Sequence, residues 1–129
     1  MEQYPLLIIL GATASGKTKL AVRLAAKLQT EIISADSRQV FRDMDIGTGK
    51  DLEEYGDVPY HLINIRAAGE NYNVNAFKDD FYRVFTNLSR QQKLPILCGG
   101  TGMYIHSILQ NHEFTAIPVN ENLRVTYRV

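Results

Sequence analysis

The stretch "GATASGKT", Gly11 to Thr18, follows the apolar run "LLIIL" and leads straight into "KLAVRLAAKL". Gly11-x-x-x-x-Gly16-Lys17-Thr18 meets the full phosphate-loop pattern, with a strand-like run before it and a helix-like run after it. Gly11 and Gly16 permit a backbone that wraps around oxygen atoms. Successive amide N–H groups, among them those of Thr13, Ala14 and Ser15, then point at an anion, and the helix that follows adds the positive end of its dipole. Lys17 supplies a mobile positive charge for a terminal phosphate, and the Thr18 hydroxyl suits Mg²⁺, which keeps water and phosphate oxygens as its other ligands. The plainer reading is a tight, alanine-rich turn into a helix, but every fixed position of the pattern is present in the context it needs. The ligand stays open, because a diphosphate and a triphosphate satisfy the same donors.

Outward from this loop the chain alternates. "LLIIL" (Leu6–Leu10), bounded by Pro5 and Gly11, reads as a buried strand. Leu20, Ala21, Leu24, Ala25 and Leu28 form one face of a helix. "EIISAD" (Glu31–Asp36) is a second strand, "YHLINI" (Tyr60–Ile65) alternates as a third, and "LPILCGG" is a fourth. The Gly- and Asp-rich "DMDIGTGKDLEEYGD" between them predicts a loop with one helical turn. Phe77, Phe81, Val84, Phe85 and Leu88 make a helical stripe over Val74–Gln92, with Asn73 placed to cap it. "TGMYIHSILQ" is a further helix. From Asn111 the tail "NHEFTAIPVNENLRVTYRV" has no clear period, and "NENLRVTYRV" reads as the start of another helix. The order predicts an α/β, three-layer P-loop NTPase-like fold: a mainly parallel sheet flanked by helices, with few strands for that architecture and so an expectation of a shortened sheet.

Composition sets the outer bounds. The 129 residues make one domain at most, with 45% hydrophobic and 22% charged residues, as in an ordinary globular protein. Fourteen basic and 14 acidic residues cancel, so a nucleic-acid partner needs a local patch rather than an overall field. The single cysteine, Cys98, fits a reducing cytoplasm and reads as a buried small hydrophobe. No apolar run is long enough to span a bilayer, and "MEQYPLLIIL" lacks the basic start of a signal peptide, so the expected location is cytoplasmic with no membrane partner.

Two further places bear on chemistry. Asp36 ends an apolar strand, and in an open α/β sheet such ends face the ligand crevice. Its carboxylate suits either a magnesium-bound water or a proton taken from a nucleophile, and equally a cap on the turn Ser37–Gln39. Gly99 and Gly100 end the fourth strand at the same edge, and Thr101 follows as a helix cap or a hydroxyl for a ligand. His61, His106 and His112 have no metal spacing and read as solvated or core residues.

Taken in order, "GATASGKT", "IISADSRQVFRDMDIGTGK", "PYHLINI" and "LCGGTGMYI" resemble the tRNA dimethylallyltransferase (tRNA isopentenyltransferase) family, from Leu6 to about Arg124. The resemblance implies dimethylallyl diphosphate as donor, Mg²⁺ as cofactor, and as acceptor the N6 amine of the adenosine 3′ of a tRNA anticodon. It implies that Gly11, Thr13, Ala14, Ser15, Gly16, Lys17 and Thr18 hold the diphosphate and its metal, and that Asp36 and Thr101 are catalytic. It further implies tRNA contacts from Asp36, Ser37, Arg38, Gln39, Thr101 and Arg124. The family's tyrosine after "QV" is Phe41 here. Residues 1–112 are then the phosphate-loop core and 113–129 the start, incomplete, of a substrate-binding region. Family members are more than twice as long, and Arg124 and Arg128 are the only basic residues after Lys93, so a fragment or short relative that keeps donor binding, with weak or absent tRNA binding, is expected. The alternatives are a small-molecule P-loop kinase, an adenylate isopentenyltransferase and a catalytically idle nucleotide-binding module.

Overall fold

Alternation along the first apolar run decides the layers. In β1 (Leu6–Gly11), Leu6 and Ile8 enter one core cluster while Leu7 and Ile9 enter another, because successive strand side chains point to opposite faces. The computed structural model describes residues 5–11, 16–36, 40–41, 52–67, 70–100, 102–109, 114–120 and 123–128, with the backbone alone at Leu109, 114–120 and 123–128.

Against the Leu7/Ile9 face packs α1 (Lys17–Leu28), which buries Ala21 and Ala25. Small residues on that stripe let the helix lie close to the sheet. A 3-10 turn at Leu52–Tyr55 closes the same side through Tyr55, which agrees with the single turn expected in that loop. Against the Leu6/Ile8 face pack α2 (Val74–Arg90) and α3 (Gly102–Leu109). Asn73 caps α2 as its sequence implied, accepting a 2.9 Å hydrogen bond from the Ala76 N–H. The stripe Phe77, Phe81, Val84, Phe85 and Leu88 is buried throughout, each side chain stabilising the fold by roughly 2 kcal/mol before ordering costs.

The sheet between these helices contains β1, β2 (Ile32–Ser34), β3 (Tyr60–His61), β4 (Ile96–Gly99), β5 (Phe114–Asn120) and β6 (Leu123–Arg128). Its order is β3-β2-β4-β1-β6-β5. The first four strands are mutually parallel and β6 and β5 are antiparallel additions, so the expected three-layer, mainly parallel architecture is present.

Two expectations need correction. The alternating "YHLINI" is not a six-residue strand. It pairs only at Tyr60 and His61, because Leu62 (φ 67°) and Asn64 (φ 59°) turn left-handed, after which the Ile65 and Arg66 N–H groups both bond to Val40 O. The tail also departs from the helix expected at "NENLRVTYRV": Leu123–Arg128 is a strand that pairs with β1 from Leu6↔Arg128 to Gly11↔Leu123. The free edge of β1 offers a row of N–H and C=O groups, and pairing satisfies them. β5 lies outermost, where Pro118, which has no N–H to donate, costs the ladder least.

Candidate active site

Because β1, β2 and β4 run parallel, their carboxyl ends open on one edge, with Leu10 level with Gly99 and Ser34 level with Cys98. Gly11, Asp36 and Gly100 therefore emerge together. Gly16 caps α1 in the left-handed region (φ 83°, ψ 15°), and a β-carbon there would meet nothing, so the backbone conformation alone calls for glycine. Lys17 opens the helix and is only 7% exposed. A cation buried at a helix N-terminus works against both the dipole and desolvation, and an anion in the crevice removes both penalties.

The end of β4 is built by leaving out side chains. A β-carbon on Gly99 would lie 2.5 Å from Ala35 O, and one on Gly100 would lie 2.9 Å from Gly11 O and 3.8 Å from Lys17 Nζ. The Ala35 N–H donates to Cys98 O at 2.8 Å, and this pins β2 to β4 immediately before Asp36, which is itself 7% exposed. Burial pushes the Cys98 thiol up to about 12; the Lys17 ammonium opposes that rise and the Asp36 carboxylate adds to it. Cys98 is thus a buried, inert thiol, as the sequence suggested.

Lys17 and Asp36 are therefore both placed beside the glycine-rich end of β4, Lys17 next to Gly100 and Gly11 and Asp36 directly after the Ala35 that touches Gly99, while Thr18 is half-buried in the first turn of α1. Thr13, Ala14, Ser15, Ser37, Arg38, Gln39 and Thr101 lie outside the described residues. Arg124 is level with Leu10 on β6, so its backbone borders the same edge of the sheet.

Two aromatic residues at the site escaped the sequence reading. Burial pushes the Tyr104 phenol up, and the Asp36 charge adds to this. Tyr55 responds likewise, with burial first and the charges of Cys98, Tyr60, Glu54 and Asp36 after it. Tyr55 belongs to the α1 side of the sheet and Tyr104 to the other side. Both tyrosines sit in segments whose patterns were assigned to structure, and nothing local marked them. His61, read from its spacing as no metal ligand, is half-buried with Nε2 2.8 Å from Glu31 Oε1, and His112 lies outside the described residues. His106 is exposed.

Comparison with known proteins bears directly on this arrangement. The family described as IPP transferase matches residues 39–128, and the one described as isopentenyl transferase matches residues 4–58. The chain belongs to the IPP transferase family. Among its relatives, tRNA dimethylallyltransferase 1 of Parabacteroides distasonis is 54% identical over 99% of this chain, which spans 43% of that protein. tRNA dimethylallyltransferase 2 of Trichlorobacter lovleyi is 58% identical over 92% of this chain, which spans 39% of it. The chain thus covers less than half the length of these relatives. The full-length tRNA isopentenylpyrophosphate transferase of Bacillus halodurans superposes with a TM-score of 0.76 at 43% identity, over 88% of this chain and 38% of its own. A eukaryotic dimethylallyltransferase, solved acting on tRNA, also gives 0.76 at 33% identity, over 82% of this chain and 27% of its own. The P-loop-like fold expected from "GATASGKT" is thus the fold of the IPP transferases. No helix among the described residues is long and apolar enough to cross a membrane.

Proposed function

We propose that this protein transfers a dimethylallyl group from dimethylallyl diphosphate to N6 of the adenosine 3′ of the anticodon in tRNA. The observation that supports the reading is the placing of buried Lys17 and Asp36 at the adjoining carboxyl ends of β1, β2 and β4, where a β-carbon on Gly100 would lie 3.8 Å from Lys17 Nζ, in a chain of the IPP transferase family.

Gly11, Thr13, Ala14, Ser15, Gly16, Lys17 and Thr18 hold the diphosphate. As the allylic C–O bond breaks, its electron pair goes to the bridging oxygen, where the Lys17 ammonium and the amides at the start of α1 stabilise the growing charge. The N6 lone pair forms the new bond to the allylic carbon, and Asp36 accepts the N6 proton. Thr101 supplies a second hydroxyl at the reacting centre. Asp36, Ser37, Arg38, Gln39, Thr101 and Arg124 contact the tRNA, and the substrate-binding region starts at residue 113, after a core of residues 1–112. The cytoplasm is the compartment that fits such an acceptor and a lone buried thiol.

Mg²⁺ suits this donor set. Thr18 offers a hard hydroxyl oxygen, and no group of three or more His, Cys, Asp or Glu among the described residues forms a protein cage, so the ion would share its ligands with phosphate and water. When bound, it neutralises charge on the diphosphate.

Calorimetry with Mg²⁺–dimethylallyl diphosphate and with Mg²⁺–ATP tests the donor. The allylic diphosphate is expected to bind more tightly, with an affinity loss of about 100-fold, or about 3 kcal/mol, in Lys17→Ala. Tighter binding of ATP would overturn the reading. Asp36→Asn is expected to keep donor binding and lose transfer.

A further inference from the structure

A second gathering of charge lies beyond the crevice, where the chain leaving β3 meets the start of α2. Arg66 is fixed there from several sides. Its backbone N–H bonds to Val40 O at 3.1 Å, and it pairs with Phe41 in an isolated parallel bridge. Its Nη1 donates to Ile65 O at 3.0 Å, and its Cζ lies 5.1 Å from the centre of the Tyr72 ring. That ring meets Tyr104, in the first turn of α3, edge-on at 6.4 Å. The group is thus tied to two borders of the crevice. Val40 and Phe41 directly follow the segment 36–39, and Tyr104 stands just after Thr101.

The arrangement around Asp80 leaves the arginines short of a full partner. Tyr72 Oη donates to Asp80 Oδ2 at 2.7 Å, and burial, followed by that bond, pushes the phenol up, so it stays a donor. The oxygen so engaged is 3.8 Å from Arg66 Nη2, while Asp80 Oδ1 is 3.5 Å from Arg83 Nη2. A charge-assisted N–H···O bond is about 2.7–2.9 Å long, so both guanidinium groups stand off the one carboxylate they share. Their side chains are 34% and 70% exposed. A planar fork laid over an aromatic ring, with donors still facing solvent, matches the oxygens of a phosphate.

We propose that Arg66 and Arg83, set in place by Tyr72 and Asp80, clamp the phosphate backbone of the RNA acceptor beside the crevice. This rests on the reading of tRNA as the acceptor. The chain has no net charge, so an RNA must be held by a local patch of this kind. The patch is continuous with the segment 36–39, which the proposed function places against the tRNA. The Tyr72 hydroxyl has a definite part: by occupying Asp80 Oδ2 it keeps the carboxylate from drawing Arg66 into a closed pair.

The test is to titrate the 129-residue protein into a fluorescein-labelled anticodon stem-loop RNA and read anisotropy at several salt concentrations. Arg66→Ala is expected to weaken binding about tenfold at low salt and to reduce the slope of log affinity against log salt by about 1. Arg90→Ala removes an exposed charge from the last turn of α2 and is expected to change affinity by less than about twofold. Tyr72→Phe alters no charge, yet is expected to weaken binding about threefold as Asp80 closes on Arg66. Calorimetry with Mg²⁺–dimethylallyl diphosphate should give the parental affinity in all three variants, which also reports that each is folded. Equal losses in Arg66→Ala and Arg90→Ala would reduce the effect to overall charge and overturn the clamp. Loss of donor affinity in Arg66→Ala, with RNA affinity intact, would assign the cluster to the diphosphate and overturn it too. If parent and Arg66→Ala bind the stem-loop alike, the clamp falls while the acceptor reading stands. A parent that binds no stem-loop even at low salt removes both.

Discussion

The two ends of the parallel strands treat charge in opposite ways. Near their amino ends, Glu31 receives Lys93 Nζ at 2.6 Å and lies 2.8 Å from His61 Nε2. Long side chains from three separate stretches meet there and neutralise one another within the chain. At the carboxyl ends, Lys17 and Asp36 are each 7% exposed, and what gathers them is backbone packed on backbone at Gly11, Gly99 and Gly100. The first arrangement satisfies its own charges and contributes to stability. The second omits β-carbons, and so brings Lys17 and Asp36 to one edge of the sheet, where the proposed function places the diphosphate and the acceptor amine.

The sharpest way to break this contrast is Gly99→Ala. The added carbon would sit 2.5 Å from Ala35 O and 2.7 Å from Ala35 C, backbone atoms that move only if β2 and β4 separate. A loss of about 2–3 kcal/mol is expected from chemical denaturation. Gly102→Ala, where a β-carbon meets nothing within 4 Å, should stay within about 0.5 kcal/mol of the parent. Equal losses at the two glycines would show that close approach at β4 is not what the site depends on.

At the other end, Glu31→Gln should cost about 1–2 kcal/mol near neutral pH, since the carboxylate side chain is 14% exposed and its two partners are 31% exposed. The pH dependence has a definite sign. Burial works to raise the Glu31 carboxyl, but the hydrogen bonds from Lys93 and His61, together with their charges, outweigh it and hold the group below its ordinary 4.5. The stabilisation is then fully present above that value and fades as pH falls through the lower, folded one. Thermal melts of parent and Glu31→Gln should differ above about pH 5 and converge as pH falls below it. A gap that persists into strong acid would mean that packing, not pairing, is what Glu31 supplies.

Asn73→Ala touches neither end and sets the scale for a purely local effect. Loss of the cap on Ala76 N–H is expected to cost about 1 kcal/mol, seen as a lower Tm with donor affinity unchanged.

Much of the fold was legible in advance, and the reason is local. The alternation at Leu6–Leu10, the glycine frame of Gly11–Thr18, the aromatic stripe Phe77–Leu88 and the Asn73 cap each express a preference that a few neighbouring residues decide. The tail was not legible as strand. Leu123, Val125 and Tyr127 alternate with Arg124, Thr126 and Arg128 in a pattern that fits a strand, yet its partner is the edge of β1, more than a hundred residues earlier. "YHLINI" failed in the opposite direction, since its alternation is real but the chain turns at Leu62 to meet Val40.

The sequence by itself determined that a phosphate loop joins a buried strand to a helix, that Asp36 and Gly99–Gly100 end neighbouring apolar runs, and which family the motifs resemble. Only the tertiary structure decided that Lys17 and Asp36 are both buried at one edge of the sheet beside Gly99 and Gly100, and that Glu31, His61 and Lys93 form one cluster. Periodicity, capping and turn chemistry act over a few residues and are written in order along the chain. Convergence of charges depends on strand order and register, which are set by the packing of segments far apart in sequence.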